Sequence, residues 1–186
     1  TTLFRSPVAP PDPAHKGYGN SITLAQDVSD FDTASQVLLA LSETVGARLR
    51  EAGVRCNSVT VELKDWRFTS QSHQCVLKNP TDSTSVLYDT ACRLLKEFWD
   101  KTPVRLIGLR TSQIQEDPFE QMSLFEDERQ KKMRAMEKAV DHIRGRYGID
   151  SVQRASFLKE NSPTPHAVSR KKHLNQTSQH NTGKEF

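Results

Sequence analysis

The strongest constraint on the fold is the order in which two kinds of hydrophobic pattern follow each other along the chain. Four segments show the alternating or continuous apolar pattern of strands: residues 21–24, 57–64, 69–77 and 104–109. Two segments instead carry apolar side chains three and four residues apart, as amphipathic helices do: residues 34–52 and 87–98. The second and third strands have no helix between them. This β-α-β-β-α-β order predicts an α+β fold of the split-βαβ (ferredoxin-like) type, a four-stranded antiparallel sheet with two helices on one face.

Local signals predict where these elements begin and end. Asp30 or Asp32 can cap the first helix, and Gly53 is suited to end it. The Asn79–Asp82 stretch should break the third strand and supply a cap for the second helix, which Pro103 follows. The facing of the third strand is left open, because Cys75 and Leu77 favour one phase whereas Phe68 and Val76 favour the other.

The same patterns divide the chain into five parts. Residues 1–15 form a proline-rich linker, residues 16–113 the sheet domain, and residues 114–125 a second linker. An amphipathic helical segment follows at residues 126–158, with apolar positions at Met133, Met136, Val140, Ile143 and Tyr147. We expect the polar tail, residues 159–186, to be disordered.

Composition argues against several classes of protein. The net charge is only +3, so a nucleic-acid surface would have to come from local placement of charge. Cys56, Cys75 and Cys92 have neither C-x-x-C spacing nor neighbouring histidines, which predicts no metal site and reduced thiols in a cytoplasmic protein. No apolar run is long enough to span a membrane. The chain begins without methionine, so we expect it to be a piece of a longer protein.

No pattern of catalytic residues emerges from the sequence. We find no paired carboxylates with metal-ligand spacing, no nucleophile elbow and no phosphate-binding glycine loop followed by a helix. We therefore predict no catalytic residue, no metal and no cofactor in this chain.

The uncovered face of the predicted sheet is the best candidate for binding. Its side chains would be Ser21, Thr23, Thr60, Glu62 and Lys64, with Lys16, Asn20 and Arg110 at its edges. Hydroxyls, amides and scattered bases can follow a phosphate backbone without reading base sequence. The alternative is an ordinary solvated face, and the acidic Glu62 in its middle favours that alternative.

A second candidate is the pentapeptide Gln121-Met122-Ser123-Leu124-Phe125, which lies in the linker between acidic neighbours. Its Leu-Phe pair is costly to leave in water, so either this chain or a partner should cover it. One interpretation is a helix start, with Asp117 as N-cap and Pro118 at the first helical position, or with Ser123 and Glu126 as a capping box. The other is an anchor peptide that inserts into a partner's pocket.

Several of these segments, in this order and spacing, resemble the little-finger domain of Y-family (translesion) DNA polymerases. Residues 16–24 look like its first strand, residues 70–77 like its third and residues 103–112 like its closing strand. The pentapeptide is similar to the bacterial sliding-clamp-binding motif. Residues 146–151 resemble the branch of the family that handles UV-induced lesions.

The resemblance implies a module that grips template-primer DNA, with a clamp-binding tail, in a bacterial error-prone polymerase. By resemblance, the DNA-binding residues would be Lys16, Asn20, Ser21, Thr23, Lys64, Gln71, His73 and Arg110. Gln71 and His73 stand where many relatives carry arginines, so we expect weaker phosphate contacts there. The clamp-binding residues would be Gln121 to Phe125.

The nucleotidyltransferase chemistry of such a polymerase, with its Mg²⁺ ions, would belong to a catalytic core absent from this sequence. The alternative function is a non-enzymatic interaction module whose terminal helix docks on a partner protein. The exposure of the Met133, Met136, Val140 and Ile143 stripe separates the two, since a buried stripe is core and an exposed one is an interface.

Overall fold

The computed structural model describes residues 17–116 and 128–158, and the pentapeptide with its two interpretations lies outside them. The sheet domain consists of β1 (Gly17–Val28), α1 (Phe31–Glu51), β2 (Val54–Asp65), β3 (Ser70–Thr81), α2 (Thr84–Phe98) and β4 (Val104–Glu116). A third helix, α3 (Glu128–Tyr147), and two short 3₁₀ turns follow. The predicted β-α-β-β-α-β order and α+β class are confirmed.

The sheet is antiparallel throughout, with the strand order β1-β4-β2-β3. Because β4 is antiparallel to both of its neighbours, β1 and β2 run parallel with β4 inserted between them. By the same reasoning β3 and β4 run parallel with β2 between them. The fold is therefore two interleaved split β-α-β units, which puts β2 and β4 at the centre and leaves β1 and β3 as edges.

The hydrophobic core lies on one side of this sheet, under α1 and α2. From the sheet it takes Val59, Val61 and Leu63 of β2 with Ile107 and Leu109 of β4, all at alternate positions. From the helices it takes fully buried side chains three and four residues apart: Val37, Leu38, Leu41, Val45, Leu49, Leu87, Ala91, Leu94 and Leu95. The opposite face of the sheet has no helix on it among the described residues.

The ends of α1 are those the sequence predicts. The carboxylate of Asp30, the N-cap, accepts the backbone N–H of Thr33 at 2.7 Å. At the other end Gly53 adopts φ +66°, a left-handed conformation that glycine takes at little cost.

Replacing Asp30 with alanine should lower the free energy of unfolding by about 1 kcal/mol, since the first turn loses its acceptor. Asp30→Asn is the matched control, because asparagine caps equally well.

The Thr33 N–H lowers the pKa of Asp30 below its ordinary 3.8. Its stabilisation is thus present above that pH and is lost as pH falls through the lower folded-state pKa. Urea unfolding of the three proteins across pH checks both effects, and equal stability of the alanine and asparagine variants would contradict the cap.

Two details at the start of α2 differ from the prediction. The strand β3 continues through Asn79 and Pro80 to Thr81, beyond a register irregularity opposite residues 56–58 of β2. Asp82 is not the cap of α2; the N-cap is Ser83, and it makes no side-chain cap bond. The N–H of Thr84 donates instead to Oε1 of Glu137 at 3.0 Å. A carboxylate more than fifty residues away thus caps this helix, and no local sequence signal contains it.

The helix α3 packs on the domain through its charged side rather than its apolar stripe. Arg50 of α1, only 5% exposed, donates to Asp141 at 2.6 Å, to Glu137 at 3.3 Å and to Asp82 O at 2.8 Å. Arg134 pairs with the carboxylate of Asp82 at 2.9 Å. Burial raises the pKa of Glu137 above its ordinary value, against the opposing effect of Arg50. We call these five residues the Arg50 network.

The apolar stripe of α3 is only partly covered. Met133 and Val140 are half-buried, whereas Met136, Ile143 and Tyr147 are exposed. Beyond α3 the chain turns back through two 3₁₀ turns, and Phe157 is buried in the core cluster. Arg144 and Arg154 both pair with Glu43, a nearly buried carboxylate of α1. No helix among the described residues is long and apolar enough to cross a membrane.

Candidate nucleic-acid interface

The register of the strands defines which side chains share the uncovered sheet face. In β1 and β4, Ser21 lies opposite Gly108, Thr23 opposite Leu106 and Gly19 opposite Arg110. Across the centre, Arg110 lies opposite Thr60 of β2, Gly108 opposite Glu62 and Leu106 opposite Lys64. The outer strand β3 adds Ser70, Ser72 and Gln74. We call this surface the open face.

Two glycines, Gly19 and Gly108, leave a depression in the middle of the open face. A Cβ on Gly108 would lie 3.3 Å from the Cβ of Ser21 and 3.5 Å from the Cβ of Glu62. A Cβ on Gly19 would lie 3.1 Å from the Arg110 side chain. Without these carbons, β1 and β4 border a depression of about 450 Å³, which Gly19 and Gly108 help to line. Glycine in a strand often marks a place where a ligand or another chain approaches closely.

The charges on the open face are few and mostly free to move. Nη2 of Arg110 lies 3.8 Å from Oε2 of Glu62, and the Arg110 side chain is 70% exposed. An ion pair this long and this exposed contributes little stability. The guanidinium can therefore turn from Glu62 to an anionic ligand at small cost.

The structure brings four of the predicted DNA-binding residues together on this face: Ser21, Thr23, Lys64 and Arg110. Lys16 lies outside the described residues, as do Gln121, Met122, Ser123, Leu124 and Phe125.

Three other predicted residues lie on the helix-covered side of the sheet. Gln71 and His73 pair with the core residues Leu63 and Val61, and the His73 ring stacks on Phe98 of α2 with centroids 5.7 Å apart. Asn20 lies two residues from Ile22, on the same side of β1, and its Oδ1 accepts the N–H of Ser21, although Asn20 also borders the depression. The third strand follows the phase that Cys75 and Leu77 favour, with Val76 exposed on the other side. The DNA contacts of Gln71, His73 and Asn20 stay predictions, although the strand register places their side chains on the side away from the open face.

The structure also shows an exposed aromatic pair that sequence reasoning passed over. Trp66 and Phe68 lie in the β2–β3 turn, 48% and 67% exposed. Each has a cation beside its ring, Arg67 at Trp66 and Lys64 at Phe68. The available signal was two large aromatics in a turn sequence, Asp65 to Thr69, that contains no glycine.

In the part of the chain that the structure describes, no group of three or more His, Cys, Asp or Glu side chains could hold a metal ion. The open face offers hydrogen-bonding groups and positive charge.

Comparison with known proteins finds one matching family and relatives named DNA polymerase IV. The model of the family described as "impB/mucB/samB family C-terminal domain" matches residues 15–124. DNA polymerase IV 2 of Bacillus subtilis is 38% identical over 148 residues, which are 77% of this chain and 35% of that protein. DNA polymerase IV of Clostridium acetobutylicum is 31% identical over 145 residues, 78% of this chain and 37% of that protein. The chain thus spans little more than a third of the length of these curated relatives.

Two solved structures align with this chain at lower sequence identity. The structure titled "Complex of beta-clamp processivity factor and little finger domain of PolIV" aligns with a TM-score of 0.45 and 22% identity, over 52% of this chain and 86% of that one. A Y-family DNA polymerase chimera aligns with a TM-score of 0.45 and 23% identity, over 54% of this chain and 29% of that one.

Proposed function

The chain belongs to the impB/mucB/samB C-terminal domain family, the C-terminal portion of Y-family polymerases, and from this membership we propose that its open face holds duplex DNA. The observation that carries the proposal is the uncovered sheet face, where hydroxyls, Lys64 and Arg110 surround a glycine-lined depression. Hydroxyls and bases of this kind contact phosphate oxygens, and such contacts carry no sequence information. The DNA would accordingly be held by its phosphates, independently of sequence.

The magnitudes favour a weak, salt-dependent grip. Each phosphate contact made by a lysine or arginine contributes about 0.9 to the slope of log affinity against log salt. The register places Lys64 and Arg110 on the open face with Glu62 between them, so affinity should be modest. Such a domain supports a polymerase by keeping the primer terminus close rather than by choosing a site.

The experiment changes the charge of the open face in both directions. Arg110→Ala should weaken binding to a template-primer duplex about fivefold and lower the salt slope by about 1. Glu62→Gln should strengthen binding severalfold, because it removes a repulsive carboxylate and frees Arg110. Fluorescence anisotropy at several salt concentrations measures both variants.

Lys138→Ala on α3 is the matched control, a base removed from an exposed site away from the open face. Duplex binding that is salt-independent in the unaltered chain, or equally weakened by Lys138→Ala and Arg110→Ala, would contradict the open-face assignment.

We further propose that the pentapeptide Gln121–Phe125 binds a bacterial sliding clamp. The support is in the sequence: an amide suited to hydrogen bonding, followed by Met122, Leu124 and Phe125 as apolar anchors. A clamp bound there would raise the local concentration of a weak DNA-binding domain at the primer terminus.

The parent protein, in this proposal, is an error-prone DNA polymerase acting in DNA repair. Its Mg²⁺ ions would be held by carboxylates in a catalytic core outside this chain. The restriction to UV-induced lesions, which residues 146–151 suggested, stays a prediction.

One observation favours a second role, docking of a partner protein on α3. The charged side of α3 contacts the domain through the Arg50 network. The opposite, outer side of the helix therefore carries the exposed Met136, Ile143 and Tyr147. The exposed bases Lys132, Lys138 and Arg146 lie on the same helix. The exposure of Met136, Ile143 and Tyr147 supports an interface on this side of the helix, while Met133 and Val140 of the same stripe are half-buried.

A further inference from the structure

The β2–β3 turn has the composition of a stacking surface. Trp66 and Phe68 each expose about half of their surface or more, and neither belongs to the core cluster or packs against it. The Arg67 guanidinium carbon lies 4.7 Å from the Trp66 ring centroid, and Lys64 Nζ lies 5.8 Å from that of Phe68. Exposed aromatic faces with adjacent cations are what proteins use to bind unpaired bases and their phosphates.

The backbone of this turn is strained for the residue it carries. Phe68 has φ +66°, a left-handed conformation in which a bulky side chain is an outlier and glycine is the usual choice. The fold does not need the aromatic ring to make the turn. The N–H of Thr69 donates to the Asp65 carboxylate at 2.8 Å, and the N–H of Phe68 donates to Asp65 O at 3.1 Å. A costly aromatic side chain in a turn that Asp65 already closes points to a use outside the fold.

Charge favours nucleic acid over a protein partner. The single acid of the turn, Asp65, is engaged by the turn's own N–H group, which leaves Lys64 and Arg67 as its outward charges. Lys64 also belongs to the open face, so the turn adjoins the proposed duplex-binding surface. An unpaired strand continuing past the duplex would meet the two rings.

We propose that Trp66 and Phe68 form a binding site for unpaired nucleotides, in which the bases stack on the rings and Lys64 and Arg67 contact the phosphates. The site rests on the proposed function and extends it to the single-stranded part of the template. It shares Lys64 with the open face, but Trp66 and Phe68 belong to this site alone and can be altered separately. Because every base has a π-face, the site should tolerate any sequence.

The test measures binding of the 186-residue chain to an oligothymidylate of about 16 nucleotides and, in parallel, to a duplex. Trp66→Ala/Phe68→Ala should weaken single-strand binding about tenfold or more while duplex affinity changes less than about twofold. In the unaltered chain, a base stacked on Trp66 should quench its fluorescence. Trp66→Phe should keep single-strand binding but lose this quenching, since Trp99 is then the one tryptophan in the sequence. That variant assigns the stacking to the ring at position 66.

Phe68→Gly separates binding from folding. Glycine relieves the left-handed strain, so the melting temperature should stay the same or rise while single-strand affinity falls. A double alanine variant that binds the oligothymidylate as tightly as the unaltered chain would overturn the proposal and indicate a protein contact instead. Equal losses of single-strand and duplex binding would also overturn it. If duplex binding is absent and single-strand binding persists, the open-face assignment fails and this site stands.

Discussion

Replacing Arg50 with alanine is expected to lower the free energy of unfolding by about 3–5 kcal/mol at neutral pH. The side chains of Arg50 and Glu137 are 5% and 4% exposed, so water cannot replace the lost partner. Glu137 would be left as a buried charge, and Asp141 would lose its closest partner, at 2.6 Å. Removing one member of a buried pair is far more harmful than the pair is stabilising. Urea unfolding followed by circular dichroism measures the loss.

The pH dependence and a double variant test the cause of that loss. Burial already raises the pKa of Glu137 above its ordinary value of 4.5. The contribution of Glu137 to the free energy of unfolding is therefore fully present below pH 4.5 and is lost as pH rises through the raised folded-state pKa. Without Arg50 the pKa of Glu137 should rise further, and the destabilisation should shrink at acidic pH. Arg50→Ala/Glu137→Ala should lose less than the sum of the single variants. A loss below about 1 kcal/mol for Arg50→Ala would mean that the network behaves as a surface ion pair.

Replacing both Leu124 and Phe125 with alanine is expected to weaken sliding-clamp binding at least about 100-fold. Central apolar anchors of an interface each contribute about 2 kcal/mol or more, and a factor of ten corresponds to about 1.4 kcal/mol. Surface plasmon resonance with an immobilised bacterial sliding clamp measures the change, and duplex affinity should stay unchanged.

The matched control is Glu126→Ala/Asp127→Ala, which alters two flanking acids and should change clamp affinity only a little. A lowered melting temperature in the Leu124→Ala/Phe125→Ala variant would instead support the helix-start interpretation, in which the pair packs on this chain. Undiminished clamp binding would contradict the pentapeptide assignment and direct attention to the exposed side of α3.

Features set by local pattern could be predicted from the sequence. The stripe from Val37 to Leu49, the Asp30 cap and the left-handed Gly53 all depend on residues within one or two turns of each other. The open-face positions of Ser21, Thr23 and Lys64 follow from strict alternation in β1 and β2. Arg110 was expected at the edge of the face, but it lies on the central strand β4, because the order of strands in the sheet depends on long-range pairing.

Features that depend on distant partners could not be predicted in this way. The third strand had two possible phases, and a shift of one residue moves Gln71 and His73 to the other face. The cap of α2 comes from Glu137, and the apolar stripe of α3 left open which side of that helix packs on the domain. In both cases buried charge pairing outweighed the hydrophobic pattern, and periodicity does not record pairing between distant residues.

The Arg50 network has a consequence for how far a bound partner can stand from the domain. Residues 117–127 connect Glu116, the end of β4, to Glu128, the start of α3, so this stretch of eleven residues is anchored at both ends. Fully extended it would measure about 36–40 Å, and with both ends held its middle can project roughly 20 Å at most. A partner bound to Gln121–Phe125, as proposed above, would stay within that distance of the domain. If the network opened, one anchor would detach, and the reach of the peptide would about double.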